Sequence, residues 1–236
     1  MPSTGRREHH DPPVDHRILT FKPRRRQLTP ARRALFERLS PSLCVEAEGD
    51  PFNPVEEFGR DAALVLDIGI GYGDSLTSAA AADPAVDLIG ADVHTPGIAS
   101  TLARIEAMEL SNVRLLHGDA LRFVDRLPLG SLSGVRIYFP DPWHKARHRH
   151  RRIASVANIS LFTELLAPSG TLHVATDIEE YARRVERLCG DQPGLVGGVV
   201  ERPEWRPETR YERKGLDAGR TAIDLLYRRV PTRPPG

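Results

Sequence analysis

At 236 residues, 40% of them hydrophobic and 28% charged, the chain has the length and composition of one globular domain with a substantial core. No apolar run approaches the roughly 20 residues of a membrane span, and the polar N-terminus lacks the apolar segment of a secretion signal. Cys44 and Cys189 are too few for a disulfide framework or a metal site, which fits a reducing, cytoplasmic setting. The net charge of +1 hides an asymmetry: residues 1–40 carry ten Lys/Arg against four Asp/Glu, and residues 141–152 carry Lys145, Arg147, Arg149, Arg151 and Arg152 against Asp141 alone. Such basic blocks are the footprint of a polyanionic partner.

Residues 1–27 are basic, rich in Pro and His and without hydrophobic period, so they form a loosely held segment; residues 28–236 form a single domain. Thr29-Pro30 is a helix cap followed by proline in the first turn, and a short helix follows over 31–39. Residues 41–61 have loop composition. Strands are then predicted over 63–67, 86–93, 113–117, 135–139 and 171–175, and helices over 75–82, 98–109, 121–126, 153–166 and 178–188. Strands alternating with helices specify an α/β fold with a parallel sheet covered on both faces. Two last strands, 199–201 and 223–229, add an antiparallel end. No repeat or linker marks a second domain.

In such a sheet the ligand sits outside the carboxyl ends of the strands. The turn Gly69-Ile70-Gly71-Tyr72-Gly73 follows the first strand of this series and lets backbone approach a ligand closely. A dinucleotide fingerprint would place its third glycine where Asp74 stands, and that negative charge repels pyrophosphate. S-adenosylmethionine carries no phosphate. Asp67 suits its cationic methionyl end, Asp92 its ribose hydroxyls and Asp119 its adenine amino group. Any one of these acids is equally a helix cap or a solvated loop residue; three at successive strand ends favour the cofactor.

After the fourth strand of this series comes Phe139-Pro140-Asp141-Pro142-Trp143-His144-Lys145. The two prolines stiffen the chain around Asp141. A carboxylate matches the paired N1–H and 2-amino donors of guanine. Trp143 either stacks on a base or packs inside, the packing role being favoured. His144, His148 and His150 alternate with arginines that would surround any cation with positive charge, so no metal is expected. The five cations that follow Asp141 read as phosphate contacts that position an RNA.

These residues resemble the bacterial tRNA (guanine-N7-)-methyltransferase family, over nearly the whole chain from about Leu19. The motif from Phe139 to Lys145, with Arg147 to Ile153 after it, is the most specific element. Asp67 to Gly71, Gly90 to Gly97, Asn112 to Arg114, Asp119-Ala120, Ala175 to Tyr181, Thr209 to Glu212 and Lys214-Gly215 join it. The resemblance implies a Rossmann-like class I methyltransferase with a mostly parallel seven-stranded sheet, S-adenosylmethionine as cofactor, and a guanosine of the tRNA variable loop as target. It implies cofactor contacts at Asp67, Gly69, Gly71, Gly73, Asp92, Asp119, Ala120 and Asp141, a catalytic role for Asp141, and substrate contacts at Lys145, Asp177, Thr209, Arg210, Tyr211 and Glu212. Asp67 and Asp92 depart from the family's usual Glu and call for a closer ligand or a bridging water. Guanine N7 already exposes a lone pair, so Asp141 is expected to hold the base rather than to remove a proton. The alternatives are a small-molecule methyltransferase, a non-catalytic RNA-binding protein retaining the cofactor pocket and, more remotely, a dehydrogenase. Monomer or homodimer is left open.

Overall fold

The computed structural model describes residues 20–21, 27–217 and 219–231. The reading of residues 1–27 as a loose basic segment therefore falls outside the described residues, apart from Thr20, Phe21 and Gln27. Thr29 caps the first helix, α1 (Pro30–Leu43), its hydroxyl accepting from the Arg32 amide at 3.4 Å. The helix runs past the expected end at Leu39 and through Pro41. None of its residues is buried, so water can take the carbonyl that the missing proline N–H releases. The stretch read as loop also contains a two-residue strand, β1 (Cys44–Val45), and one helical turn, α2 (Pro54–Phe58). Both are too short to show a period in sequence.

From there the elements alternate: β2 (Ala63–Ile68), α3 (Asp74–Ala82), β3 (Val86–Asp92), α4 (Thr95–Ala107), β4 (Val113–His117), α5 (Ala120–Phe123), β5 (Leu132–Tyr138), α6 (Val156–Leu165), β6 (Leu166–Thr176) and α7 (Glu179–Gly190). The chain closes with β7 (Leu195–Val200), α8 (Arg210–Asp217) and β8 (Ile223–Arg229). The sheet order is β1-β4-β3-β2-β5-β6-β8-β7, parallel from β1 to β6 and antiparallel where β8 joins β6 and β7. It is the expected mostly parallel α/β sheet with an antiparallel end, enlarged from seven strands to eight by the edge pair at β1.

Three boundaries differ from the sequence reading. α6 starts at Val156 rather than 153, because Ser155 caps it, accepting from the Asn158 amide at 3.2 Å, while Ile153 and Ala154 are buried beneath the basic run. β7 begins at Leu195, masked in sequence by Gly197 and Gly198. α8 is an addition to the expected elements, since its short and highly charged sequence offers only Tyr211 and Leu216 as large apolar residues. Two apolar clusters flank the sheet, one under α5 to α7 and a smaller one under α3 and α4 against which Leu35 and Leu39 of α1 pack. The strand order reverses direction at β2, which has β3 on one side and β5 on the other, and this opens a crevice at the carboxyl ends of those strands.

Candidate functional site

That crevice is a cleft of about 920 Å³, walled by the residues that follow β2, β3, β4 and β5, by Thr209 and Tyr211, and by Thr20 and Phe21. Its glycine turn is built from backbone. Gly69 and Gly71 have φ of 83° and 60°, a region side chains disfavour. A Cβ on Gly97, in the first turn of α4, would collide with the Gly71 carbonyl, so turn and helix pack main chain to main chain.

The acids at the strand ends line the same cleft as this turn. Asp67 is 3% exposed, and burial pushes its carboxyl up to about 6, opposed by the Arg136 guanidinium and reinforced by the charge of Asp92. Asp92 accepts from the Gly71 amide at 2.8 Å through one oxygen and from the His94 amide at 2.8 Å through the other. Burial nevertheless raises its pKa. Asp119 caps α5, accepting from the Leu121 amide at 3.0 Å, and with Ala120 it lines the cleft. The helix-cap and cleft-wall readings of Asp119 thus hold together. Asp74 opens α3 at the cleft wall and forms an ion pair with Arg104. It stands where a dinucleotide fingerprint has its third glycine, with Arg104 offsetting its charge. At the lip, the rings of Tyr72 and His94 meet edge to face with centroids 5.7 Å apart.

Asp141 lines the same cleft, after β5. Its neighbourhood is strained: Phe139 and Trp143 have φ of 50° and 44°, left-handed conformations that bulky residues adopt only when their surroundings impose them. The Phe139 amide donates to the Ala175 carbonyl at 2.7 Å, tying the start of the motif to β6. Trp143 is buried, in the packing role the sequence favoured. Its indole N–H donates to the Thr20 carbonyl at 3.1 Å and the Arg151 guanidinium lies over its ring at 3.8 Å. Arg151 also donates to the Phe21 carbonyl at 2.6 Å.

The basic run forms a 3-10 helix, Ala146–Arg151, and its cations do not serve one purpose. Arg152 is 1% exposed. It donates to the Pro142 carbonyl at 2.8 Å and grips both Glu180 oxygens at 3.0 and 2.7 Å. It is a strut between motif and α7, which corrects its reading as a phosphate contact. Arg151 is engaged with Trp143 and Phe21. Lys145, Arg147 and Arg149 stand exposed on the surface. Among the described residues, no three His, Cys, Asp or Glu side chains gather as metal ligands.

The remaining expected substrate residues divide. Thr209 and Tyr211 line the cleft, and the Tyr211 ring lies 5.4 Å from that of Phe139. The Arg210 side chain lies outside the described set. Glu212 faces inward. It completes a reciprocal cap of α8 in which its amide donates to Thr209 Oγ1 at 3.0 Å while its carboxylate accepts from the Thr209 amide at 3.3 Å. Asp177 sits off the cleft wall, its side chain buried, with Arg220 3.0 Å from its carboxylate. Sequence reasoning missed a buried polar chain behind the cleft, formed by Tyr138, His173, Asp224 and Arg206. A His inside β6 and an Asp inside β8, each in an otherwise apolar run, were its signal.

A family model described as a putative methyltransferase matches residues 61–225. A tRNA (guanine-N(7)-)-methyltransferase of Alcanivorax borkumensis is 40% identical over 232 residues, covering 96% of this chain and 94% of its own. One from Streptomyces coelicolor is 40% identical over 235 residues, covering 95% and 87%. Among solved structures, the 16S rRNA methyltransferase KamB superposes with a TM-score of 0.54 at 17% identity, over 78% of this chain and 96% of that one. A point mutant of the 16S rRNA (adenine(1408)-N(1))-methyltransferase from Catenulisporales acidiphilia gives 0.52 at 16%, over 79% and 96%. The two structures share the fold, whereas the sequence relatives, alike over almost their full length, show that the chain belongs to the tRNA (guanine-N(7)-)-methyltransferase family.

Proposed function

We propose that the protein transfers a methyl group from S-adenosylmethionine to N7 of a guanine in the variable loop of tRNA, with residues 28–236 acting as one catalytic domain. The observation that carries this reading is the gathering of Asp67, Asp92, Asp119 and Asp141 around a single cleft at successive strand ends. The residues fit the cofactor. The backbone cradle at Gly71 and Gly97 admits close approach, Asp67 faces a cationic methionyl end, Asp92 keeps lone pairs for ribose hydroxyls, and Asp119 accepts from the adenine amino group. When bound, S-adenosylmethionine supplies an electrophilic methyl.

Guanine N7 carries its lone pair in the ring plane, so no proton has to leave before attack. Asp141 therefore acts by accepting hydrogen bonds from the base and fixing its angle; rate comes from proximity and in-line orientation. The methylated imidazole ring is cationic, and the Asp141 carboxylate stabilises that charge as it develops. Tyr211 and Thr209 bound the base from the α8 side. Lys145, Arg147 and Arg149 take backbone phosphates and set the register of the RNA. The exposed cations favour RNA over a small molecule, which needs none of them.

Labelled-methyl transfer to two tRNA transcripts tests the reading. A transcript with guanine takes up label, and one in which 7-deazaguanine replaces guanine takes up none. Equal labelling of both transcripts contradicts attack at N7.

A further inference from the structure

α8 lines the substrate side of the cleft, yet it has almost no apolar means of staying there. Of its described residues, only Glu212 and Gly215 are buried, while Tyr211 and Leu216 are 50% and 45% exposed. Among the described residues, its buried charged anchor, Glu212, is held by a cation. The Arg206 side chain, fully buried, donates to both Glu212 oxygens at 2.8 Å. The same guanidinium donates to Asp224 Oδ2 at 2.8 Å and lies 2.6 Å from Oδ1 through Nε. Asp224 in turn is 2.7 Å from His173 Nε2, and His173 Nδ1 is 2.8 Å from the hydroxyl of Tyr138, a residue of the cleft wall.

The protonation pattern along this chain is self-consistent. Burial, with the proximity of Asp67, keeps the Tyr138 phenol protonated, so it donates to His173 Nδ1. Burial holds His173 below its usual pKa, leaving the neutral ring to donate from Nε2 to Asp224. Asp224 stays ionised because His173 and Arg206 together outweigh its desolvation. One buried guanidinium thus bridges two buried carboxylates, with the half-exposed Arg202 a more distant second cation 3.7 Å from Glu212. Such a cluster is expensive to desolvate, which makes it a poor device for stability alone and a good one for fixing geometry.

We infer that Arg206 is a positioning residue for methyl transfer: it seats α8 through Glu212, so that Thr209 and Tyr211 face the bound base, and through Asp224 and His173 it fixes Tyr138 on the adjoining wall. This rests on the methyltransferase reading. The cluster does not hold Asp92 or Asp119, which are held by the amides of Gly71, His94 and Leu121, although Tyr138 stands near Asp67.

The test compares wild type, Arg206→Lys, which keeps the charge without the fork, and the triple variant Arg206→Met/Glu212→Gln/Asp224→Asn, which removes all three charges together. In Arg206→Lys, kcat on tRNA falls about a hundredfold, the scale of an ångström-level misplacement. Its S-adenosylmethionine affinity, from calorimetry, stays at the wild-type value, and amides 209–217 exchange hydrogen faster. The triple variant regains thermal stability without regaining kcat. Three results each overturn the inference: unchanged exchange over 209–217 in Arg206→Lys, loss of cofactor affinity in step with kcat, or wild-type turnover in the triple variant. A wild-type protein that fails to methylate tRNA sinks the methyltransferase reading instead, and the exchange measurement still judges Arg206.

Discussion

The indole N–H of Trp143 donates to the main-chain oxygen of Thr20, 123 residues earlier in the chain, and so ties the N-terminal end of the described structure to the wall of the cleft. Arg151, stacked on the same indole, adds a second tie through Phe21. The most recognisable aromatic of the motif is therefore a post rather than a base-stacking platform.

Replacing that post has a graded cost. Trp143→Ala lowers stability by about 3–5 kcal/mol, as for other buried large-to-small changes. Trp143→Phe keeps most of the packing and loses one hydrogen bond, about 1 kcal/mol. Denaturant unfolding reads both. Equal stability of Trp143→Ala and wild type would remove the indole from its structural role.

The basic run separates into surface and buried cations, and salt dependence tells them apart. Arg147→Ala and Arg149→Ala each reduce the slope of log K against log salt for tRNA by about 0.7–0.9 and leave the fold intact. Arg152→Ala leaves the slope unchanged and destabilises by about 1–3 kcal/mol, less than for a fully buried pair because Glu180 is half exposed. Filter-binding titrations at several salt concentrations decide the matter; a reduced slope for Arg152→Ala would return that residue to the RNA surface.

Asp67 makes cofactor binding pH-dependent. Its carboxyl titrates at about 6 in the fold against an ordinary 3.8, because burial, together with the charge of Asp92, outweighs Arg136. The folded state thus holds its proton at pH values where the unfolded chain has released it, so this group makes the empty protein less stable as pH rises from about 4 through 6. A cationic methionyl group binds the ionised form. S-adenosylmethionine affinity therefore falls about tenfold per pH unit below 6 and levels off above. Asp67→Asn weakens binding and flattens the profile in calorimetric titrations. A wild-type affinity independent of pH from 5 to 7 would contradict the placement of Asp67.

For Asp141, single-turnover methyl transfer separates holding from proton removal. Asp141→Asn keeps one accepting oxygen and slows the step about tenfold, whereas Asp141→Ala slows it a hundredfold or more; neither changes the shape of the pH–rate profile. An Asn variant as fast as wild type would end the base-holding role. A pH limb present in wild type and lost in the variant would show general-base action.

Much of this site is legible in the sequence. Asp67, Asp92, Asp119 and Asp141 can be placed because apolar runs mark the strands and the strand ends mark the crevice. Arg147 and Arg152 cannot be told apart, since neighbouring arginines differ only in what the fold sets beside them, solvent in one case and Glu180 in the other. Glu212 reads as a substrate contact, although its spacing from Thr209 is also that of a helix cap; with α8 unrecognised there is no helix to cap. Pro41 hides the end of α1, and Gly197 with Gly198 hides the start of β7, because local propensity is outweighed by solvent access in the first case and by pairing with β8 in the second.

The central claim is most directly tested by mass-spectrometric mapping of the nucleosides in unmodified tRNA after incubation with the protein and S-adenosylmethionine. The account predicts 7-methylguanosine as the new methylated nucleoside, located in the variable-loop fragment and missing when Asp141→Ala replaces the wild type. Methylation at another guanine atom, on another base, or none at all would contradict it.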